Sequence, residues 1–194
     1  KAAKVISSYA LQADVDDVVS LSCRSGIAGD STGTTGLRQW QSPAAPRSVL
    51  IRAACLLANH PQHASIFRDS RHAERLVGLL EEENPVWIKG WSEAFRPVAS
   101  DLMPPIVELL RRADRNQGSL NAVNLLVQYA ADDAPLLASL VPAAHSDELP
   151  ILTEALSEQG NDGIKAAQTQ WQRETTVDTA SIDLSQPWGS PWWC

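Results

Sequence analysis

The chain has 194 residues, of which 44% are hydrophobic, and it carries a formal net charge of −7 with a pI near 5.0. This length suits one domain or one array of small repeats, and the hydrophobic content excludes a chain that is disordered throughout. The acidic balance argues against a nucleic-acid groove, which needs clustered lysine and arginine to neutralise phosphates, and against an anionic membrane surface.

The expected fold class is all-α, because alanine and leucine dominate and alternating runs of valine, isoleucine and threonine are scarce. Residues 1–23 predict two short helices. Residues 24–46 contain four glycines among serines and threonines, which is typical of a long polar loop inserted between helices. This segment contains no lysine, so it does not predict a phosphate-binding loop, and Trp40 is expected to anchor its far end.

Two helices are predicted after this loop. Residues 47–59 form a strongly apolar helix, with Pro46 well placed at its start. Residues 62–83 hold a turn and a second helix, which Ser70 is expected to cap. The acidic run at 81–83 closes this helix, and three carboxylates at a helix C-terminus oppose the helix dipole. We therefore expect a local partner for this run.

The densest mix of apolar residues and helix punctuation lies at 84–110. Asn84, which is followed by a proline, predicts a helix start, because asparagine caps the first amides and proline suits the first helical position. Trp87, Trp91 and Phe95 recur at i, i+4 and i+8, so they line one side of this helix. A ligand-binding aromatic face is one interpretation of this spacing, and packing between helices is the favoured one.

The following segments are predicted as short helices with proline or aspartate at their joints. Pro97 ends the aromatic helix. The next helix is predicted at 101–113, with Pro104 and Pro105 confined to its first turn, where missing amides cost least. Further helices are predicted at 117–131, after a cap at Asp133, from Ser146 or Asp147, and from Asn161 to about Arg173, with Gly160 as the C-cap before it.

Similarity between two segments of the chain indicates an internal repeat. Residues 5–10, VISSYA, match residues 125–130, LLVQYA, in residue type, and an acidic turn and an apolar helix follow both segments. The offset of 120 residues is three units of roughly 40, which is the period of HEAT-type helical pairs. The sequence therefore predicts a HEAT-like α-solenoid of antiparallel helix pairs over residues 1–173.

The composition changes in the tail, residues 174–194. This segment is rich in threonine, serine and aspartate and ends in QPWGSPWWC. Trp188, Trp192 and Trp193 lie among proline and glycine and do not fit a helix. An extended linker is the favoured interpretation, and contact of these three tryptophans with a partner or with a following domain is the alternative.

No residue pattern predicts catalysis, a metal or a cofactor. Cys55, His60 and His63 lie close in sequence, but they lack the fixed spacing of zinc sites, so loop histidines are favoured over a metal site. Cys55 and His60 alone do not predict a nucleophile and its base. Asp132 and Asp133 precede a helix start, which favours capping over acid–base chemistry.

The cysteines at positions 23, 55 and 194 are sparse and odd in number, so they predict no disulfide framework, and Cys55 is expected to pack as a small hydrophobe. The sequence contains no run of about 18 apolar residues and no visible signal peptide, which favours a cytoplasmic location. The chain starts without methionine and ends abruptly, so a fragment of a longer protein is expected.

The stretch ENPVWIKGWSEAFRPVASDLMPPIVELL, followed by LLVQYAADDAPLLASLV, resembles a HEAT-like helical segment of large bacterial multidomain proteins. In that family the segment has an E-N-P start, a tryptophan helix ending in L/F-R-P-V, an L-x-P-P-L/I helix and a Y-A-A-D-D turn. The resemblance covers residues 47–158. It implies a link between a kinase-like or other signalling module and a formylglycine-generating-enzyme-type domain, and the catalytic motifs of those domains do not occur in this sequence.

The predicted function is therefore a non-catalytic helical-repeat scaffold that binds a protein partner or positions adjoining domains of the same polypeptide. An acidic solenoid would prefer a basic partner face, with no role for nucleic acid, membrane or cofactor. One alternative is a regulatory segment whose loop or tail is cleaved or clasped by a partner enzyme. The other is a HEAT-fold nucleic-acid-processing enzyme such as a glycosylase, which the charge of −7 disfavours.

Overall fold

The computed structural model describes residues 31–112 and 119–175, and all regular secondary structure in these ranges is helical. The helices are α1 (Ser31–Gln41), α2 (Arg47–Ala58), α3 (Ser70–Glu81), α4 (Pro85–Ala94), α5 (Ala99–Arg111), α6 (Leu120–Tyr129), α7 (Ala134–Leu140), α8 (Leu149–Glu158) and α9 (Asn161–Thr175). Short 3-10 helices lie in the connections at Ala64–Arg68, Arg96–Val98 and Val141–Ala143. The predicted all-α class is confirmed for the described part, and the two helices predicted at 1–23 lie outside it.

The helices pack around a hydrophobic core built mainly from leucine, isoleucine, valine and alanine side chains. Its largest fully buried side chains include Trp40, Phe67 and Phe95. Burial of one large apolar side chain stabilises a fold by about 1.5–3 kcal/mol, so these three rings are major contributors to the stability of the core.

The prediction of a polar loop at 24–46 is wrong over most of the part that the structure describes, because Ser31–Gln41 forms the helix α1. The sequence of α1 is poor in helix-favouring residues, but extensive packing on α2 outweighs this propensity. Trp40 is fully buried and anchors this end of the segment, as predicted. Gly36 lies on the contact face, where a Cβ atom would lie 3.6 Å from the Ala53 carbonyl oxygen, so the two helices approach closely.

Three predicted helix boundaries are confirmed by their capping geometry. Asn84 caps α4, and its side-chain oxygen accepts a hydrogen bond from the Val86 amide at 3.1 Å. Asp133 caps α7, and its carboxylate accepts from the Leu136 amide at 3.0 Å. Gly160 follows the end of α8 with φ 59°, a left-handed conformation that glycine adopts without strain.

Two other predicted starts are wrong. The helix α3 is capped by Asp69 rather than Ser70, because the Asp69 carboxylate accepts from the amide two residues later at 3.0 Å while Ser70 is already helical. The helix α8 begins at Leu149, after the start predicted at 146–147. The reason is that the chain first makes a turn in which the carboxylate of Glu148 is held by preceding amides.

The helix α5 begins two residues before its predicted start, so Pro104 and Pro105 lie inside it rather than in its first turn. Each proline lacks the amide that would bond to the carbonyl four residues earlier. The buried stripe of α5 consists of Leu102, Ile106 and Leu110. Burial of this stripe, at about 1.5–3 kcal/mol per side chain, offsets the missing hydrogen bonds.

The last described helix, α9, starts at Asn161 as predicted and runs to Thr175, past the predicted domain limit at residue 173. It packs on α7 and α8. Gly163 lies at the contact with α8, where a Cβ atom would lie 1.9 Å from the Leu156 carbonyl oxygen. The two helices can approach this closely only because residue 163 is a glycine.

Helices that are two apart in the chain contact one another. α3 contacts α5, α5 contacts α7 and α7 contacts α9, while α4 contacts α6 and α6 contacts α8. Successive helices also pack in pairs, including α1 with α2, α5 with α6 and α8 with α9. No helix within 31–112 and 119–175 is long and apolar enough to span a bilayer.

Candidate functional site

The aromatic residues of α4 belong to the core, as predicted. Trp91 is 7% exposed and Phe95 is fully buried, and their ring centroids lie 6.0 Å apart. Trp87 is half-buried and packs against the same core. Aromatic pairs at this separation add to the stability gained by burial. These rings therefore hold the helices together and do not form an open binding face.

The cysteine and histidine residues considered as ligands do not form a metal site. Among the residues that the structure describes, no group of three or more His, Cys, Asp or Glu side chains could hold a metal ion. The rings of His60 and His63 contact each other, with centroids 4.8 Å apart. Cys55 is fully buried and disulfide-bonded, so it offers no thiolate for a metal or for nucleophilic attack.

Cys55 is disulfide-bonded, which the sequence interpretation did not anticipate. Disulfide formation depends on distances in the folded chain, which spacing along the sequence does not reveal.

A buried polar junction joins the C-terminal end of α3 to the starts of α6 and α8. It consists of Glu81, Ser119, Asn121 and Glu148, and the last three are no more than 5% exposed. The Ser119 hydroxyl donates to the Glu81 carboxylate. The Glu148 carboxylate accepts from the Ser119 amide at 2.5 Å and from the His145 amide at 2.8 Å. These bonds compensate the cost of burying polar groups.

Asn121 closes the end of α3. The two hydrogens of its Nδ2 atom serve the carbonyl oxygens of Leu80, Glu81 and Glu83, at 3.2, 2.9 and 2.7 Å, so one hydrogen is shared between two acceptors. The last carbonyls of a helix have no partner within the helix, so this side chain acts as a C-terminal cap from another helix. The sequence interpretation missed it, because nothing local marks an asparagine that reaches a helix end about forty residues earlier.

The local partner expected for the acidic run at 81–83 is Arg47. Its guanidinium group pairs with Glu82 at 3.0 Å and also donates to the Leu79 carbonyl oxygen. Both contacts place a positive charge at the negative end of the α3 dipole. The Glu82 side chain is largely exposed, so the ion pair itself is screened by solvent and contributes little.

An open groove, which we call the α3 groove, runs between the exposed sides of α3 and α5. Its lining includes Arg75, Gly78, Glu81, Pro105, Leu109 and Arg112. The Arg75 guanidinium lies 4.6 Å from the centre of the Trp40 ring and donates to the Trp40 carbonyl oxygen at 2.6 Å. This stacking fixes one basic wall of the groove.

The α3 groove is lined by charges of both signs: Arg71, Glu74 and Arg75 near the start of α3, Glu81 near its end, and Arg112 from the end of α5. Arg71 and Arg75 lie at the end near the start of α3. The Arg71 side chain, through its hydrogen bonds, holds the pKa of the exposed Asp69 carboxyl below its ordinary value. At the other end Glu81 also lines a second cleft, which continues past residues 82 and 83 to the start of α6. Along α3 itself, Arg71 and Arg75, with Glu74 between them, precede the acidic residues at 81–83.

Gly78 lies in the middle of the α3 groove. It is exposed, and no heavy atom lies within 4 Å of the position that a Cβ atom would take. A glycine inside a helix costs about 1 kcal/mol relative to alanine, and here no packing contact within the described fold requires it. Without a side chain at this position, another molecule can approach the backbone closely. Such binding would explain why a glycine stands here despite its cost in helix stability.

Comparisons with known proteins assign no family: no protein-family model, no curated protein and no solved structure matches this chain. The resemblance of residues 47–158 to HEAT-like segments stays a prediction. The tryptophans predicted as partner contacts, Trp188, Trp192 and Trp193, lie outside the described residues. The α3 groove is one surface that the described residues offer for recognition.

Proposed function

We propose that this chain is part of a HEAT-like α-solenoid that acts as a non-catalytic scaffold and binds a protein partner, or an adjoining domain of the same polypeptide, in the α3 groove. In α-solenoids each helix packs against its equivalent in the next repeat. The contact series α3–α5–α7–α9 and α4–α6–α8 support this arrangement. The resemblance over residues 47–158 agrees with it.

The observation that carries the binding site is the open backbone at Gly78, with Arg71 and Arg75 towards the start of α3 and Glu81 towards its end. A partner segment that fits this groove would present acidic side chains towards Arg71 and Arg75 and basic side chains towards Glu81 and Glu82. Such charge complementarity sets the orientation of the partner and excludes segments of the opposite polarity. The acidic end agrees with the basic partner face expected from the net charge of −7.

The test compares proteins captured from an extract of the source cells by the wild-type chain and by Gly78→Gln. Glutamine is a good helix former, so α3 is retained while its side chain fills the groove. We expect capture of the specific partner to fall on the order of tenfold, because hot-spot contacts lie at the centre of an interface. The matched control is Thr153→Gln on the exposed side of α8, which should leave capture unchanged.

Two results would contradict the proposal. Equal capture by the wild-type and Gly78→Gln proteins would remove the α3 groove as the binding site. Binding of the purified wild-type chain to duplex DNA at physiological salt would contradict the scaffold function and favour a nucleic-acid enzyme.

A further inference from the structure

A cleft beyond the end of α3, which we call the acidic cleft, carries charge of one sign only. It is lined by residues from the end of α3, the start of α4 and the start of α6, and its volume is about 480 Å³. The charged residues in this lining are Glu81, Glu82 and Glu83. The negative end of the α3 dipole lies at the same place. The acidic cleft therefore attracts a cation.

Only one of these three carboxylates is paired with a cation within 31–112 and 119–175. Glu82 is held by Arg47 at 3.0 Å. The Glu81 carboxylate accepts from a serine hydroxyl, and the Glu83 carboxylate accepts from the next backbone amide at 3.0 Å. Both of these donors are neutral, so the described residues leave the charges of Glu81 and Glu83 without a counterion.

Asn121 lines the acidic cleft and holds an acceptor that lacks a donor. The residue is 5% exposed, and no described group donates to its Oδ1 atom. A buried acceptor without a partner is rare in folded proteins, because the cost of removing it from water is not compensated. This observation is independent of the carboxylates. It points to a hydrogen-bond donor that another molecule supplies.

The acidic cleft also has apolar walls. Pro85 and Leu120 line it, and Leu120 is 38% exposed. Val86, which follows Pro85 in the chain, is 51% exposed. No group of His, Cys, Asp or Glu side chains in the described part could hold a metal ion. A cationic group on an apolar stem, such as a long basic side chain, fits these walls better than a metal ion does.

We infer that the acidic cleft binds one arginine side chain of the protein partner that occupies the α3 groove, an inference that rests on the scaffold function proposed above. The groove and the cleft share Glu81, so one partner segment can occupy both. A guanidinium group has five donors in a planar fork, which suit the separate acceptors of Glu81, Glu83 and Asn121. Its methylene stem packs on Pro85 and Leu120. Lysine presents a compact charge and suits such a set of acceptors less well.

The experiment titrates the purified chain with three blocked tripeptides that differ only in the central residue, which is arginine, its neutral isostere citrulline, or lysine. The readout is the NMR signal of the Asn121 side-chain amide, which bonds to the end of α3. We expect the arginine peptide to shift this signal. At low salt it should bind about tenfold more tightly than the citrulline peptide and about threefold more tightly than the lysine peptide.

Two variants test the carboxylates. Glu81→Gln and Glu83→Gln each keep an oxygen acceptor for the neighbouring donor and remove one charge, so each should weaken binding of the arginine peptide by about threefold to fivefold. The matched control is Glu154→Gln, which removes the same charge from an exposed position of α8 and should leave binding unchanged.

Three results would overturn the inference: no shift of the Asn121 signal, equal affinity for the arginine and lysine peptides, or unchanged binding in both carboxylate variants. These results differ from a failure of the scaffold function. Reduced capture by Gly78→Gln without binding of the arginine peptide would refute the arginine site and leave the α3 groove as the partner site. Binding of the arginine peptide with undiminished capture would contradict the α3 groove and not the preference of the cleft for arginine.

Discussion

At the scale of single residues, Asn121 holds two elements together, because its Nδ2 atom satisfies three carbonyl oxygens at the end of α3. A buried polar group that loses its partner costs about 1–3 kcal/mol. Asn121→Ala removes the donor for all three carbonyls. We expect this substitution to lower the free energy of unfolding by roughly 2–4 kcal/mol, measured by urea denaturation.

Asn124→Ala is the matched control for this effect on the same helix. The Nδ2 atom of Asn124 donates to the Leu120 carbonyl oxygen at 2.8 Å, within the first turn of α6, and the residue is only half-buried. Its replacement should change the free energy of unfolding by no more than about 0.5 kcal/mol. Similar losses for the two variants would show that Asn121 does not cap α3.

Tyr129 connects stability to alkaline pH. Burial raises the pKa of its hydroxyl. The nearby charge of Arg96 lowers this pKa, and the nearby charge of Glu93 raises it. The hydroxyl donates to the Ser92 carbonyl oxygen at 3.1 Å, which also favours the protonated form. The unfolded chain releases this proton near pH 10, whereas the folded chain keeps it to higher pH. Below about pH 10 the folded state keeps the full free energy of unfolding that this group contributes. As the pH rises above about 10, this contribution is progressively lost.

The prediction is a difference in slope between the wild-type protein and Tyr129→Phe. Above about pH 10 this group alone should reduce the free energy of unfolding of the wild type by up to about 1.4 kcal/mol per pH unit, and the variant should lack this contribution. At neutral pH the variant should lose about 1 kcal/mol with its hydrogen bond. Urea denaturation between about pH 8 and pH 11 measures both effects. Parallel pH profiles would refute the assignment.

At the scale of elements, two glycines in helices differ in their surroundings. Substitution by alanine should therefore change the free energy of unfolding in opposite directions at the two positions. Alanine at position 78 meets open space, so Gly78→Ala should raise the free energy of unfolding by about 1 kcal/mol through helix propensity. At position 163 the new Cβ would meet the Leu156 carbonyl oxygen at 1.9 Å, so α9 must shift. Gly163→Ala should cost about 1–3 kcal/mol. Thermal and urea unfolding measure both changes, and the same sign for both would contradict the packing described.

The elements that the sequence predicted are those with local signals. Asn84 and Asp133 mark helix starts because a cap bonds to amides two or three residues away. The helix α1 could not be predicted, because its residues favour turns and its stability comes from packing on α2 and from the burial of Trp40. The start of α5 was misplaced for a related reason, since tertiary burial overrides the local cost of its two prolines.

The candidate site belongs to the whole molecule and was not predictable from local pattern. Gly78 and the charges around it can be read from the sequence, but the α3 groove exists only because α5 lies beside α3. The polar junction depends in the same way on Asn121 and Glu148 meeting the end of α3 and the start of α6. Sequence patterns predict what each helix buries, and long-range contacts decide which surfaces remain open.

For the whole molecule, the series of contacts between helices two apart predicts that a substitution in one helix destabilises only the helices that pack on it. In a solenoid each repeat contacts its neighbours, so stability is close to a sum of repeat and interface contributions. Gly163→Ala loosens α9, which packs on α7 and α8. Hydrogen exchange of the variant should accelerate in α7, α8 and α9, whereas the amides of α2, α3 and α4 should keep their protection within about 0.5 kcal/mol. A uniform loss of protection from α2 to α9 would instead show one cooperative globular core and would refute the solenoid.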